Sequence, residues 1–398
     1  MKNLKKYKIH RNSVTLIFLL FLFLSACIKP YTPKIESNEA SKMVVSGRIT
    51  NQIGFQAIKI SKSIPLDESH YIPVSNCKGS IWDENGKEFP LVETDPGVYQ
   101  FEVKDGDIQI GLSYAIQIIT PDGEELRSEP DTMTTVAPIE TPNYVIDSIY
   151  NGAYNYFTPG LQFQIDINGN ENTSPYYLFE IDATYEHHAK FAREWYYDYI
   201  DEWHYRAGVF HIYPPDSSLF YCWTTQRVPE IFTLSTENLA ENKFTNFPLQ
   251  FVPFNRPYLT YGYSMMVRQI GLSRKAYEYW ENMRLNNNQN GELYAKQPVD
   301  TQGNIKNLTN PEKEVLGYFG ASIISEMRIF IDPMPTNPNP FCGPVKLEQG
   351  FREIGKENYP AFLMNNPLGD YLMTWLPDPC VNCASYSGST TKPDFWPY

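Results

Sequence analysis

The sequence predicts a mainly β protein with one or two helices. Three observations predict it. Short runs of alternating apolar and polar residues recur along the chain, the pattern of half-buried strands. Turn pairs stand between them, Asn85-Gly86, Asp105-Gly106 and Asp122-Gly123, and these suit tight hairpins. Aromatic residues make up 15% of the chain, with 29 Tyr beside 31 Pro, which fits strand-forming segments and contact-prone surfaces.

The first 26 residues read as a signal peptide. Lys2, Lys5, Lys6, Lys8 and Arg11 form its basic start, and VTLIFLLFLFL at 14–24 forms its apolar centre. A bilayer span needs about 20 apolar residues, and this run is shorter. Leu24-Ser25-Ala26-Cys27 matches a bacterial lipobox. Cleavage before Cys27 would leave a cysteine acylated on sulfur and amine with palmitate-type chains, and two or more chains anchor stably. The expected location is therefore the outer membrane, held by lipid on its outer or periplasmic face. Residues 27–42, with Pro30 and Pro33, read as a tether. Removing five basic residues would move the formal charge from −13 to −18, with 28 Lys+Arg left against 46 Asp+Glu. Such acidity argues against a nucleic-acid partner.

Residues 43–136 read as a β-sandwich. MVVSGRIT, FQAIKISKS, GSIWDENG, KEFPLVE, GVYQFEV and LSYAIQIIT supply its strands. Six or seven strands in that length fit an immunoglobulin-like sandwich. Pro96-Gly97-Val98-Tyr99 and Leu112-Ser113-Tyr114 resemble the prealbumin-like spacer modules of secreted proteins. EPDTMTTVAPIETP at 130–143 reads as a linker, and 137–398 as a larger β-rich domain. YVIDSIYNG, GLQFQIDING, YYLFEIDATYE, LQFVPF and YGYSMMVRQI are its strands. One helix follows: Ser273 can cap it, and Ala276, Tyr277, Trp280, Met283 and Arg284 recur on related turns. VLGYFGASIISEMRIFI at 315–331 reads as two paired strands around a Gly-containing bend.

Five cysteines follow Cys27, an odd number, so one is left without an intramolecular partner. Cys222, Cys342, Cys380 and Cys383 all fall in the larger domain and are the disulfide candidates. Cys380-Val-Asn-Cys383 has redox or zinc spacing, but no second pair and no helix pattern accompany it.

The stretch with most chemistry is YEHHAKFAREWYYDYIDEWHYRAGVFH at 185–211. It holds His187, His188, His204 and His211 with Asp198, Asp201 and Glu202, in a spacing that fits no zinc pattern. The stretch, extended to about 216, reads as an aromatic insertion on a loop or helix. Its Trp195, Tyr196, Tyr197, Trp203 and Tyr205 are candidate partner or ligand contacts, because Tyr and Trp give contact area at low entropy cost. No nucleophile elbow, phosphate loop or dinucleotide fingerprint occurs, so neither an enzyme nor a cofactor is expected.

Several stretches together resemble a known family. They are the lipobox ending at Cys27; MVVSGRIT, PGVYQF and TPDGEELRSEP; the helix SRKAYEYWENM; GELYAKQPVDTQGNIKN; VLGYFGASIISEMRIFI; and the final CVNCASYSGSTTKPDFW. The family is a group of Bacteroidota lipoproteins carrying a domain of unknown function, commonly encoded beside TonB-dependent receptors. Cys380 and Cys383 match its Cys-x-x-Cys, whereas Cys77 matches nothing in it and is the best candidate for the unpaired thiol. The resemblance implies an outer-membrane lipoprotein working with a β-barrel, with no catalytic residue to carry over. The expectation is an accessory subunit binding a barrel, or a peptide or glycan ligand. The alternatives are a surface carbohydrate-binding lipoprotein and a surface hydrolase.

Overall fold

The structure, a computed structural model, describes residues 41–64, 71–151, 155–201, 206–288, 301–335, 342–364 and 374–397. The signal segment, Cys27 and nearly all of the tether lie outside the described residues, as do Glu202, Trp203, His204 and Tyr205.

The chain is mainly β, and its described residues are arranged in five sheets. The first two share one core. In one, Met43–Thr50 pairs with Gly54–Lys62, which pairs with Val98–Val103. In the other, Lys78–Asp83 pairs with Ser113–Ile119, which pairs with Glu125–Ser128. Alternation decides what each buries. Val45, Ile49, Ile58, Ile60 and Phe101 from the first sheet meet Ile81, Tyr114, Ile116, Ile118 and Leu126 from the second.

A boundary at 136 does not close this core. Ile305–Asn307 pairs with Glu125–Ser128, while Val315–Leu316 and Phe319–Ser322 both pair in parallel with Met43–Thr50. Ile305, Val315, Phe319 and Ala321 enter the same apolar cluster. Gly317 permits this addition. Its φ is +96°, and a Cβ there would lie 2.0 Å from the carbonyl oxygen of Val45. The 315–331 segment is thus no hairpin. After Phe319–Ser322 the chain changes sheets, and Ile324–Ile331 pairs instead with Tyr263–Gly271.

The next two sheets share a second core. Asn143–Asn151, Tyr156–Asn168 and Lys243–Pro253 form one. Tyr176–His188 lies inside the other, between Tyr263–Gly271 on one side and Tyr221–Arg227 with Phe232–Ser235 on the other. Leu161, Phe163, Ile165 and Ile167 face Phe179, Ile181, Met265 and Val267. The helix Arg274–Asn288 covers the opposite side of the central strands, where Ala276, Tyr277 and Trp280 pack on Tyr176, Leu178 and Ile270. Ser273 caps it by accepting from the Ala276 N–H at 3.2 Å.

The segment read as a linker is structural. Met133 is buried in the first core and Ala137 in the second. Between the cores, Asp131 is buried and ties three elements together. Its Oδ1 accepts from the Ser273 hydroxyl at 2.6 Å, and its Oδ2 accepts from the Ala321 N–H at 2.9 Å. Burial pushes its carboxyl above the usual range despite these donors.

The fifth sheet runs Arg206–Asp216, Arg193–Asp201, Ala361–Leu363, Thr374–Trp375 and Val345–Lys346. Two disulfides hold its surroundings. Cys222–Cys383 joins the strand Tyr221–Arg227 to the turn Cys383–Tyr386, and Cys342–Cys380 joins the approach to Val345–Lys346 to the short helix Asp378–Val381. Cys77 is a buried free thiol, and burial raises its pKa.

Asp131→Ala should lower stability by about 2–3 kcal/mol in urea unfolding, because it strands buried donors from two elements. Non-reducing peptide mapping should return Cys222 with Cys383 and Cys342 with Cys380, with Cys77 alkylated only after denaturation. Loss of the 38-residue-separated pair in Cys342→Ser should cost about 4 kcal/mol on chain-entropy grounds.

Candidate functional site

In its described part the aromatic stretch is mostly strand rather than loop or helix. Arg193–Asp201 and Arg206–Asp216 form an antiparallel hairpin, and the first strand lies inside its sheet against Ala361–Leu363. His187 and His188 belong to the long central strand Tyr176–His188. The sequence hid this because strands built of aromatics and charges lack a clean apolar–polar alternation.

Ring pairing explains the composition. Trp195 stacks on His211 with centroids 4.2 Å apart, Tyr196 on Phe210 at 5.1 Å, and Tyr197 on Phe351 at 4.3 Å. Tyr359 meets Tyr197 edge-on, and the Arg193 guanidinium lies 4.7 Å from the Phe362 ring centre. Successive strand residues face opposite sides, so both faces carry rings. On one side Tyr197 packs on Leu347, Ile354 and Ala361. Phe362 joins a separate cluster with Leu376, Cys380 and Val381. Trp195, Tyr196 and Tyr197 are each half-buried, so much of their surface serves the sheet itself. Among the described residues, the large hydrophobics exposed on this hairpin are Val209 and Tyr213, the latter 86% exposed. Both sit on the edge strand Arg206–Asp216. Sequence reasoning missed them, because which strand forms the edge depends on pairing with residues beyond 340.

The described histidines serve separate neighbours. Buried His187 donates from Nε2 to the Cys383 carbonyl at 3.1 Å, and burial lowers its pKa, keeping it neutral. His188 stacks on Tyr261 at 3.6 Å and bonds Glu186 at 2.6 Å. His211 lies on Trp195. Among the described residues, no three His, Cys, Asp or Glu side chains are grouped to hold a metal ion.

The outer face of the central sheet carries a row of charges. Glu180 bonds Arg48 at 2.7 Å and Arg227 at 2.6 Å. Asp182 bonds Arg227 and Arg268, each at 2.5 Å. Arg268 reaches Glu326 at 3.4 Å, and Gln52 meets the same carboxylate at 3.2 Å. Register builds the row, since Asp182 lies opposite Arg227 and Glu180 opposite Arg268, which lies opposite Glu326. Arg48 comes from the strand Met43–Thr50 and Gln52 from the turn that follows it, so the row also joins the two cores. Beside it the C-terminal tail lies across the sheet. Trp396 donates to Glu186 at 2.8 Å, and the Arg328 guanidinium lies 3.6 Å from the Phe395 ring centre.

A family model described as a domain of unknown function, DUF4249, matches residues 28–328. The chain belongs to the DUF4249 family. A search of curated proteins returns no match. The DUF4249 match takes in the first core, most of the second, the helix, the aromatic hairpin and the whole charged row from Arg48 to Glu326. It ends before Cys342, Cys380 and Cys383, so each disulfide draws at least one cysteine from outside the matched residues.

The charged row of this DUF4249 protein sets an acid limit. Burial alone would raise Glu180 and Asp182, but the guanidiniums beside them outweigh it and hold both below the ordinary carboxylate range. A depressed folded pKa gives stability that is complete above the unfolded value, about 4, and fades as pH falls through the folded values. Urea midpoints should therefore drop below about pH 4. Glu180→Gln should cost about 2 kcal/mol at neutral pH and make that acid limb shallower.

Proposed function

We propose that this protein is a non-enzymatic, lipid-anchored subunit that binds an outer-membrane β-barrel, a TonB-dependent receptor being the barrel its sequence resemblance favours. Cys27 would hold it at the membrane, and the sheets at 43–136 would raise the aromatic sheet to the partner.

The observation that carries the reading is the disulfide-braced aromatic sheet. Trp195, Tyr196 and Tyr197 are locked by stacking partners, while Val209 and Tyr213 stand exposed on its edge strand. Rings already immobilised lose little freedom on binding, so such a surface is pre-organised. The locked rings position the contact, and the exposed pair make it.

The test is affinity purification from native membranes in mild detergent, with wild type, Cys27→Ser and Val209→Lys/Tyr213→Ala compared. Wild type should bring down a β-barrel, and the double variant should recover at least tenfold less at an unchanged melting temperature. Cys27→Ser should leave the detergent phase. Equal recovery by the double variant rejects this edge as the contact. Wild type that recovers no barrel rejects the subunit reading and favours a glycan-binding or hydrolytic role.

A further inference from the structure

The ribbon formed by Asn143–Asn151 and the start of Tyr156–Asn168 carries a surface that the folded chain does not use. The third strand of its sheet, Lys243–Pro253, pairs only as far as Gly160. Beyond that point the ribbon continues as two strands, through Tyr150 opposite Phe157 to Asn151 opposite Tyr156. Two strands alone are marginal in water, even when apolar.

Both faces of the ribbon carry exposed apolar side chains. Tyr144 and Ile146 lie opposite Phe163 and Leu161, which are fully buried in the second core. Yet Ile146 is 75% exposed, and Phe157, farther along, is 65% exposed. The core's apolar stripe thus runs past the end of its cover. Val145, Ile149 and Tyr156 are exposed on the other face. Among the described residues, no strand pairs with the outer side of Asn143–Asn151.

The edge also lacks the usual protection. Edge strands are commonly blunted by Lys, Pro or a bulge. Residues 143–151 contain no Lys, Arg or Pro, and their pairing with the neighbouring strand runs without a register shift. Their single charge is Asp147, at the middle, exposed, with Oδ1 accepting from the Ser148 N–H.

Two occupants are disfavoured. A second copy paired antiparallel along the full strand would set Asp147 against Asp147, and like charges directly opposite destabilise a sheet. Hydrocarbon does not accept an open sheet edge with its unpaired backbone groups. From the exposed edge, the apolar faces and the central acid, we infer that Asn143–Asn151 is a docking edge for an extended segment of another protein, added as a further antiparallel strand. That segment alternates apolar side chains and places a Lys or Arg opposite Asp147. Backbone hydrogen bonds supply the affinity, and the apolar faces with Asp147 select the sequence. This edge is separate from Val209 and Tyr213 and stands whether or not those contact a barrel.

The test uses the full chain and labelled nine-residue peptides of alternating threonine and valine, with a central lysine or a central glutamate. By fluorescence anisotropy the lysine peptide should bind at least tenfold tighter, and Asp147→Lys should reverse the preference. Ile149→Lys should abolish binding of both. Hydrogen exchange should slow at backbone amides within 143–151 when the lysine peptide is bound. Asp147→Asn, at an exposed position, keeps the test valid if Ile149→Lys fails to fold. It should erase the discrimination between the peptides. Absent binding, equal affinity for the two peptides, or unchanged exchange in 143–151 overturns the inference. Tighter binding of a peptide of residues 143–151 itself, or a dimer in sedimentation, assigns the edge to a second copy instead. Cosedimentation with neutral phosphatidylcholine vesicles that Ile149→Lys abolishes assigns it to lipid.

Discussion

A single buried carboxylate joins the parts of this molecule. Asp131 takes the hydroxyl of the residue that caps the helix and the backbone N–H of a strand that closes the N-terminal sheets. Each bond alone is ordinary. Their convergence on one side chain fixes the helix, the segment between the cores and the strand Phe319–Ser322 in one geometry. Desolvation works against the charge, so the fold tolerates it only because donors from both sides reach it. The charged row from Arg48 to Glu326 repeats the arrangement nearer the surface, with side chains from both cores sharing carboxylates.

Local pattern carried the fold class. MVVSGRIT, GVYQFEV and LSYAIQIIT alternate because one face of each is buried, and they occupy the strands Met43–Thr50, Val98–Val103 and Ser113–Ile119. Ser273 and the apolar repeat behind it marked the helix, since capping and packing both act within a few residues. Non-local pairing left weaker traces. Nothing at 305–322 announces that these residues belong with strands far earlier in the chain, and only Gly317 hints at a close backbone approach. The same limit hid the aromatic hairpin. Trp195, Tyr196 and Tyr197 look like surface because they are polar-tipped and charge-flanked, yet ring partners at His211, Phe362 and Phe351 in turn cover part of each. The exposed edge at 143–151 was visible as a strand but not as an edge, because edges are defined by what fails to pair.

The described histidines, the buried Asp131 and the charged row are taken up in holding elements together. Exposed apolar groups occur at many places on the surface, and two strand edges are among them, one in the sheet flanked by the disulfides and one extending beyond its own sheet. A binding protein can be built this way, with rigidity supplied by the polar interior and recognition by edges that remain open.

The late strands set into the early sheets carry a consequence for assembly. Gly47 pairs with Phe319, and Leu126 with Asn307. The first core therefore stays open on one side until nearly the whole chain exists. Loop-closure entropy of that span must be met before those contacts give anything back, which places the protein among slow, high-contact-order folders. During that interval Val45 and Ile49 lack part of their cover, and a segment early in the sequence is among the last to become protected.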